Sequence, residues 1–148
     1  MTQQHGAEGI VLLKNEGNVL PLGSGAKVNL FGYASVDSLY GGTGSGASGA
    51  SANVDLIQGL TIAGFDVNQE LVNLYRNSGV KRPDQSGFTG SNFTPAEVPA
   101  SKYTDSLLQN AKAYTDVAVV MFSRIGGEGG DLTMDMSAAG YAATAELI

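Results

Sequence analysis

Residues 122–135 read FSRIGGEGGDLTMD, and they hold the strongest chemical signal in the chain. One carboxylate, Glu128, stands between the pairs Gly126–Gly127 and Gly129–Gly130, shortly after the most apolar run, VAVVMF. Glycines on both sides let a bulky substrate approach the carboxyl and let the loop close over it. Desolvation raises the pKa of a carboxylic acid toward neutrality, where it can give up and then recover a proton. Glycoside hydrolysis uses such a group, with two carboxyls facing each other across the scissile bond. Arg124 bears on this reading, because its charge would lower the Glu128 pKa on contact. An acid role therefore needs Arg124 to point elsewhere.

Other chemistries compete for the same residues. Glu128, Asp131 and Asp135 could offer oxygens to a hard cation, but their spacing matches no EF-hand. As a phosphate cradle, GGEGGD would carry a negative charge at its own centre. A solvated surface loop is the plain alternative. A second glycine cluster, Gly44-Ser45-Gly46-Ala47-Ser48-Gly49, matches G-x-G-x-x-G, with Asp66 near the place of a ribose-binding acid. That fingerprint needs its first glycine at the strand end, and here the match begins eleven residues beyond Tyr33. No G-x-x-x-x-G-K-[ST] is present, which argues against a P-loop.

Composition narrows the classes further. The chain has 148 residues, 43% hydrophobic, enough for one domain over 1–148 with a real core. A net charge of −6 with no basic run argues against nucleic acid. The absence of cysteine excludes disulfides and thiolate metal sites, and the lone His5 reads as a surface residue. No apolar run reaches the roughly 18 residues of a membrane span, and MTQQHGAEG lacks the features of a signal peptide. A cytoplasmic protein or an excised domain is expected, with no metal and no cofactor. Its 21 glycines are about twice the usual share of roughly 7%, and they cluster rather than repeat.

The elements that must position these groups follow from periodicity. Ala7, Ile10, Val11 and Leu13 predict a helix over 4–13. KVNLFGY, 27–33, reads as a buried strand. Asn53 is the expected N-cap of a helix over 54–63, ended by Gly64. FDVN at 65–68 is a second strand and 69–77 a helix with Leu71, Leu74 and Tyr75 on one face. Residues 78–100 lack periodicity and read as a long surface loop. A helix over 101–114 turns Tyr103, Leu107, Ala111 and Tyr114 inward. The run 117–123 reads as a central parallel strand buried on both faces. Ser137 is the expected cap of a last helix.

This alternation predicts an α/β fold, a three-layer α/β/α sandwich with a mostly parallel sheet. Ligands of such sheets bind outside the carboxyl ends of the strands, and both glycine clusters follow strand ends. Only three strands are visible, so the chain reads as a partial domain with its last strands missing. An open edge predicts self-association, as a homo-oligomer, or pairing with the missing piece.

The residues resemble glycoside hydrolase family 3, the β-glucosidase and β-xylosidase family, in its C-terminal α/β-sandwich domain. Glu8-Gly-Ile-Val-Leu-Leu-Lys-Asn-Glu-Gly-Asn-Val-Leu-Pro-Leu22 is similar to the family's entry to that domain. The likeness continues through Val28–Gly32, Gly41–Gly46, Gly59-Leu60 with Ala63-Gly64, Thr115–Val120 and Ser123–Asp131. It implies that Glu128 is the acid/base catalyst of a retaining β-glycosidase. It also implies that the nucleophile, an aspartate, lies on a (β/α)8 barrel domain to which nothing in this chain corresponds. Tyr40, Thr43 and Arg124 are then candidates for substrate binding, and Lys14 and Asn15 cap and orient the end of the first helix. The expected partners are a carbohydrate, a β-glucoside or related glycoside, and the barrel domain. The chain alone is expected to be inactive. A nucleotide-binding module using 44–49 and a non-catalytic carbohydrate-contacting domain remain the alternatives.

Overall fold

The sequence KVNLF forms β1, Lys27–Phe31, and this strand is the spine of the fold. The computed structural model describes residues 2–38, 40, 53–81 and 97–122. Their helices are α1 (Thr2–Glu8), α2 (Leu56–Ile62), α3 (Gln69–Arg76) and α4 (Asp105–Tyr114). Two further strands, β2 (Asp66–Val67) and β3 (Ala118–Val120), flank β1 in the order β2-β1-β3. Both pairings are parallel, with Val28 beside Val67 and Leu30 beside Val119. All three strands therefore present their carboxyl ends at one rim.

Alternation along β1 builds two cores. Val28 and Leu30 are fully buried on one face against Ile57 of α2, Val67 and Val72. Phe31, on the other face, packs against a cluster of Leu71 and Tyr75 from α3, Val98, and Leu107 and Ala111 from α4. Helices thus cover both faces, and the three-layer arrangement with a parallel sheet is as expected. Each such aliphatic side chain contributes about 1.5–3 kcal/mol of burial.

The second face also takes in a polar residue. Asn29 is 3% exposed. Its Nδ2 donates to the carbonyls of Ala111 at 2.8 Å and Thr115 at 3.0 Å, and its Oδ1 accepts from Asn68 Nδ2 at 2.7 Å. Asn68 in turn caps α3 by accepting from the Glu70 amide at 3.0 Å. Both donors and the oxygen of Asn29 are engaged, so burial leaves none of them stranded.

Several boundaries differ from the sequence reading. The first helix stops at Glu8 rather than Leu13, and Ile10 and Leu13 are 78% and 91% exposed. Gly6, Gly9 and the β-branched pair Ile10–Val11 are weak helix formers, and no buried face offsets that deficit. Asn15 consequently does not cap the first helix. Its side chain instead pairs with Leu20, donating to the carbonyl at 2.9 Å and accepting from the amide at 3.0 Å. Lys14 pairs with Glu16 at 3.2 Å in solvent.

The cap of α2 is Asp55, not Asn53: its carboxylate accepts from the Gln58 amide at 2.7 Å. The last turn of the 78–100 loop is not loop either. Val98 is core, and a 3-10 turn, Ala100–Lys102, leads to Thr104, which caps α4. Residues 82–96 and the helix expected after Ser137 lie outside the described residues. The largest correction concerns 117–123. Its strand, β3, is an edge of the described sheet, with Ala118 and Val120 exposed and Val119 half-buried. An apolar run fixes neither burial nor strand order, and among the described strands β1 is the one with neighbours on both sides.

Candidate active site at the carboxyl rim

At the rim, β1 ends on Gly32 and β3 runs on into Met121 and Phe122. The Met121 amide donates to the Phe31 carbonyl at 2.8 Å, extending the ladder by one residue. Gly32 has φ +93°, and a Cβ placed on it would lie 2.3 Å from the Met121 carbonyl oxygen. Only glycine lets these two backbones approach so closely. The chain that enters 123–130, with Glu128, therefore departs directly beside the end of β1.

Tyrosines hold Gly32 from behind. Its amide donates to Tyr75 Oη at 2.9 Å. Tyr75 is 1% exposed, and its hydroxyl shares a hydrogen bond of 3.0 Å with that of Tyr103. The two rings meet edge to face, with centroids 6.3 Å apart. Burial pushes the Tyr75 phenol well above its ordinary pKa, reinforced by Tyr103, and burial raises Tyr103 as well. Both phenols stay neutral at physiological pH and act as fixed hydrogen-bonding groups.

Tyr33, the next residue, ties in the chain before and after residues 82–96. Its amide donates to both oxygens of Glu97, at 3.1 and 3.0 Å, and the Val98 amide donates to the same carboxylate at 2.8 Å. Tyr33 Oη donates to the Val80 carbonyl at 2.9 Å. One residue thus fastens the chain on both sides of 82–96 to the end of β1. Glu97 is an anchor here, its oxygens being taken by backbone amides.

Of the substrate-contact candidates, Tyr40 is described and is 38% exposed, a few residues beyond the Tyr33–Ser35 turn. Glu128, Arg124 and Thr43 lie outside the described residues, as do Asp131, Asp135 and the glycines of 44–49. Sequence reasoning missed Gly32, Tyr33, Glu97 and the acceptor role of Tyr75. The one available signal was a glycine at a strand end. Among the described residues, no group of three His, Cys, Asp or Glu side chains is arranged to hold a metal.

Asp66 argues against the dinucleotide reading. It pairs with Lys27 at the amino end of β1, roughly 16 Å from Gly32 at about 3.3 Å per residue. Its carboxylate faces Tyr114, whose ring lies 5.0 Å beneath Lys27 Nζ. A ribose-binding acid would be needed at the opposite rim.

The family model of the Glycosyl hydrolase family 3 C-terminal domain matches residues 10–147. The chain belongs to this family. Beta-glucosidase A of Butyrivibrio fibrisolvens is 34% identical to this family 3 domain over 126 residues, 84% of this chain and 14% of its own length. A beta-glucosidase of Ruminococcus albus is 34% identical over 125 residues, 82% of this chain and 13% of its own. Beta-glucosidase 3B of Thermotoga neapolitana, solved with α-D-glucose, superposes with a TM-score of 0.62 at 29% identity. That match covers 85% of this chain and 18% of the Thermotoga chain. The domain therefore spans about one seventh of the relatives it matches, at 14% and 13% of their length.

Proposed function

We propose that this family 3 domain supplies the acid/base carboxyl, Glu128, of a retaining β-glycosidase acting on β-glucosides, within a larger enzyme whose barrel domain carries the nucleophile. Family membership over 10–147, a span that includes the Gly-Gly-Glu-Gly-Gly segment, carries the reading. The parallel pairing of β1 and β3 supports it, because the chain enters 123–130 from the carboxyl rim, where α/β sheets bind ligands. Tyr40, Thr43 and Arg124 are the proposed sugar contacts.

In the proposed cycle, Glu128 protonates the glycosidic oxygen as the nucleophile attacks the anomeric carbon. It then takes a proton from the water that releases the sugar. A retaining pair needs the two carboxyls about 5–5.5 Å apart, and in this proposal the second is the aspartate of the barrel domain that the family resemblance implies. The chain by itself is expected to leave β-glucosides intact. In the enzyme that carries the domain, Glu128→Gln should lower the rate on phenyl glucoside by about 10²–10⁴. The loss should be far smaller in the glycosylation step with a dinitrophenyl leaving group, which needs no proton. Equal losses on both substrates would sink the acid role.

A further inference from the structure

We propose that Tyr75 is a positioning residue for the acid/base loop, acting through Gly32 and Met121. The inference rests on the assignment of Glu128 above and extends it to a residue far from the loop in sequence. Tyr75 Oη is a buried acceptor for the Gly32 amide, so it fixes the plane of the peptide entering Gly32. Gly32 has no slack toward β3, because the Met121 carbonyl already occupies the place of a Cβ. The Met121 amide is bonded to the Phe31 carbonyl, the other side of the same peptide plane. That one peptide therefore joins the tyrosine on α3 to the residue from which the chain leaves β3. Rotating it moves Met121, and with it the end of the described chain, which continues in sequence toward Glu128.

Tyr103, between the Ala100–Lys102 turn and α4, supports the arrangement by holding the Tyr75 hydroxyl at 3.0 Å. Tyr75 is argued to act through Gly32 and Met121, so its effect must be read where acid catalysis is read. Losses from misplacement fall on steps that need a proton delivered along a set direction, and a displacement of about 1 Å costs about 10²-fold.

The test uses the enzyme that carries this domain, with phenyl and dinitrophenyl β-glucosides. For Tyr75→Phe, which keeps the ring and removes the acceptor, kcat/KM on phenyl glucoside should fall about tenfold, a fraction of the cost of gross misplacement. On dinitrophenyl glucoside it should stay within about twofold, because that leaving group departs unprotonated. Leu74→Ala removes packing from the same cluster without touching Gly32 and should show no such bias. Equal losses on both substrates, no loss, or the same bias from Leu74→Ala would overturn the proposal. Should Tyr75→Phe fail to fold, Tyr103→Phe must show the bias in weaker form, and its absence there would count equally. Glu128→Gln run in parallel separates the two ideas. Bias in Glu128→Gln without bias in Tyr75→Phe refutes the positioning role alone, whereas no bias in Glu128→Gln removes the acid/base reading and this inference with it.

Discussion

Replacing Gly32 by alanine tests whether the ends of β1 and β3 are locked together. The new Cβ would stand 2.3 Å from the Met121 carbonyl oxygen, and contacts under 3.0 Å are essentially never seen. The two backbones must separate by at least the difference, 0.7 Å. Gly32 also has φ +93° and ψ 137°, a region that costs an L-residue about 1–3 kcal/mol. Opening the contact weakens the bond from the Met121 amide to Phe31, worth about 1 kcal/mol net.

Together these come to about 2–4 kcal/mol, a large part of the 5–15 kcal/mol that holds an ordinary domain together. For a chain of this length, that is a fall in Tm of roughly 10 °C. Gly64→Ala is the matched control, since Gly64 has φ +87° and nothing within 4 Å of its added Cβ. It bears the backbone cost alone, about 1–2 kcal/mol. Urea midpoints of the two variants and the parent decide the matter. If Gly32→Ala loses no more than Gly64→Ala, the Met121 carbonyl gives way freely. The coupling argued between the strand ends would then be wrong.

Two further outcomes are expected. Asn29→Ala strands the Thr115 carbonyl and the Asn68 amide, takes one of two donors from the Ala111 carbonyl, and should cost about 3 kcal/mol, read from the urea midpoint. Adding Asn68→Ala should then cost less than it does alone, because the partners are shared. At high pH the folded chain keeps phenol protons that the unfolded chain loses near the ordinary value of about 10. Burial first, and then the neighbouring Asp66 carboxylate, push Tyr114 up to about 12, and Tyr75 and Tyr103 are raised as well. Stability should hold to about pH 10 and then fall through about pH 12. Urea midpoints tracked with tyrosinate absorbance check this, and a flat profile would contradict it.

What the sequence revealed of the fold was local. KVNLF and QELVNLYR announced their elements by spacing alone, and β1 and α3 form within a residue or two of the expected limits. The cap of α2 was legible too, as Asp55 with Gln58 three residues on, but the capping-competent Asn53 masked it. The first helix was overextended because Ile10, Val11 and Leu13 satisfy a helical period whether or not any surface exists to receive them. Strand order could not be read. VAVVMF and KVNLF are both apolar, and only the pairing of Leu30 with Val119 and Val28 with Val67 shows that, among the described residues, KVNLF lies between neighbours.

The catalytic candidate and its support differ in legibility for a physical reason. Glu128 is conspicuous because a charge among glycines is locally anomalous. The parts that aim the chain toward it are ordinary residues made special by distant contacts. Gly32 meets Met121, 89 positions away, and bonds to Tyr75, 43 positions away. Tyr75 reads as a core aromatic by its period, and it is one: its ring belongs to the packed cluster and only its oxygen does the positioning. The same holds for Asn29, whose place in an apolar strand hides a side chain that ties three elements. A buried polar atom must find its partners wherever the fold brings them. Periodicity reports which face a residue occupies, so it finds the ring and misses the oxygen. The contacts through which this rim would be aimed are of that second kind.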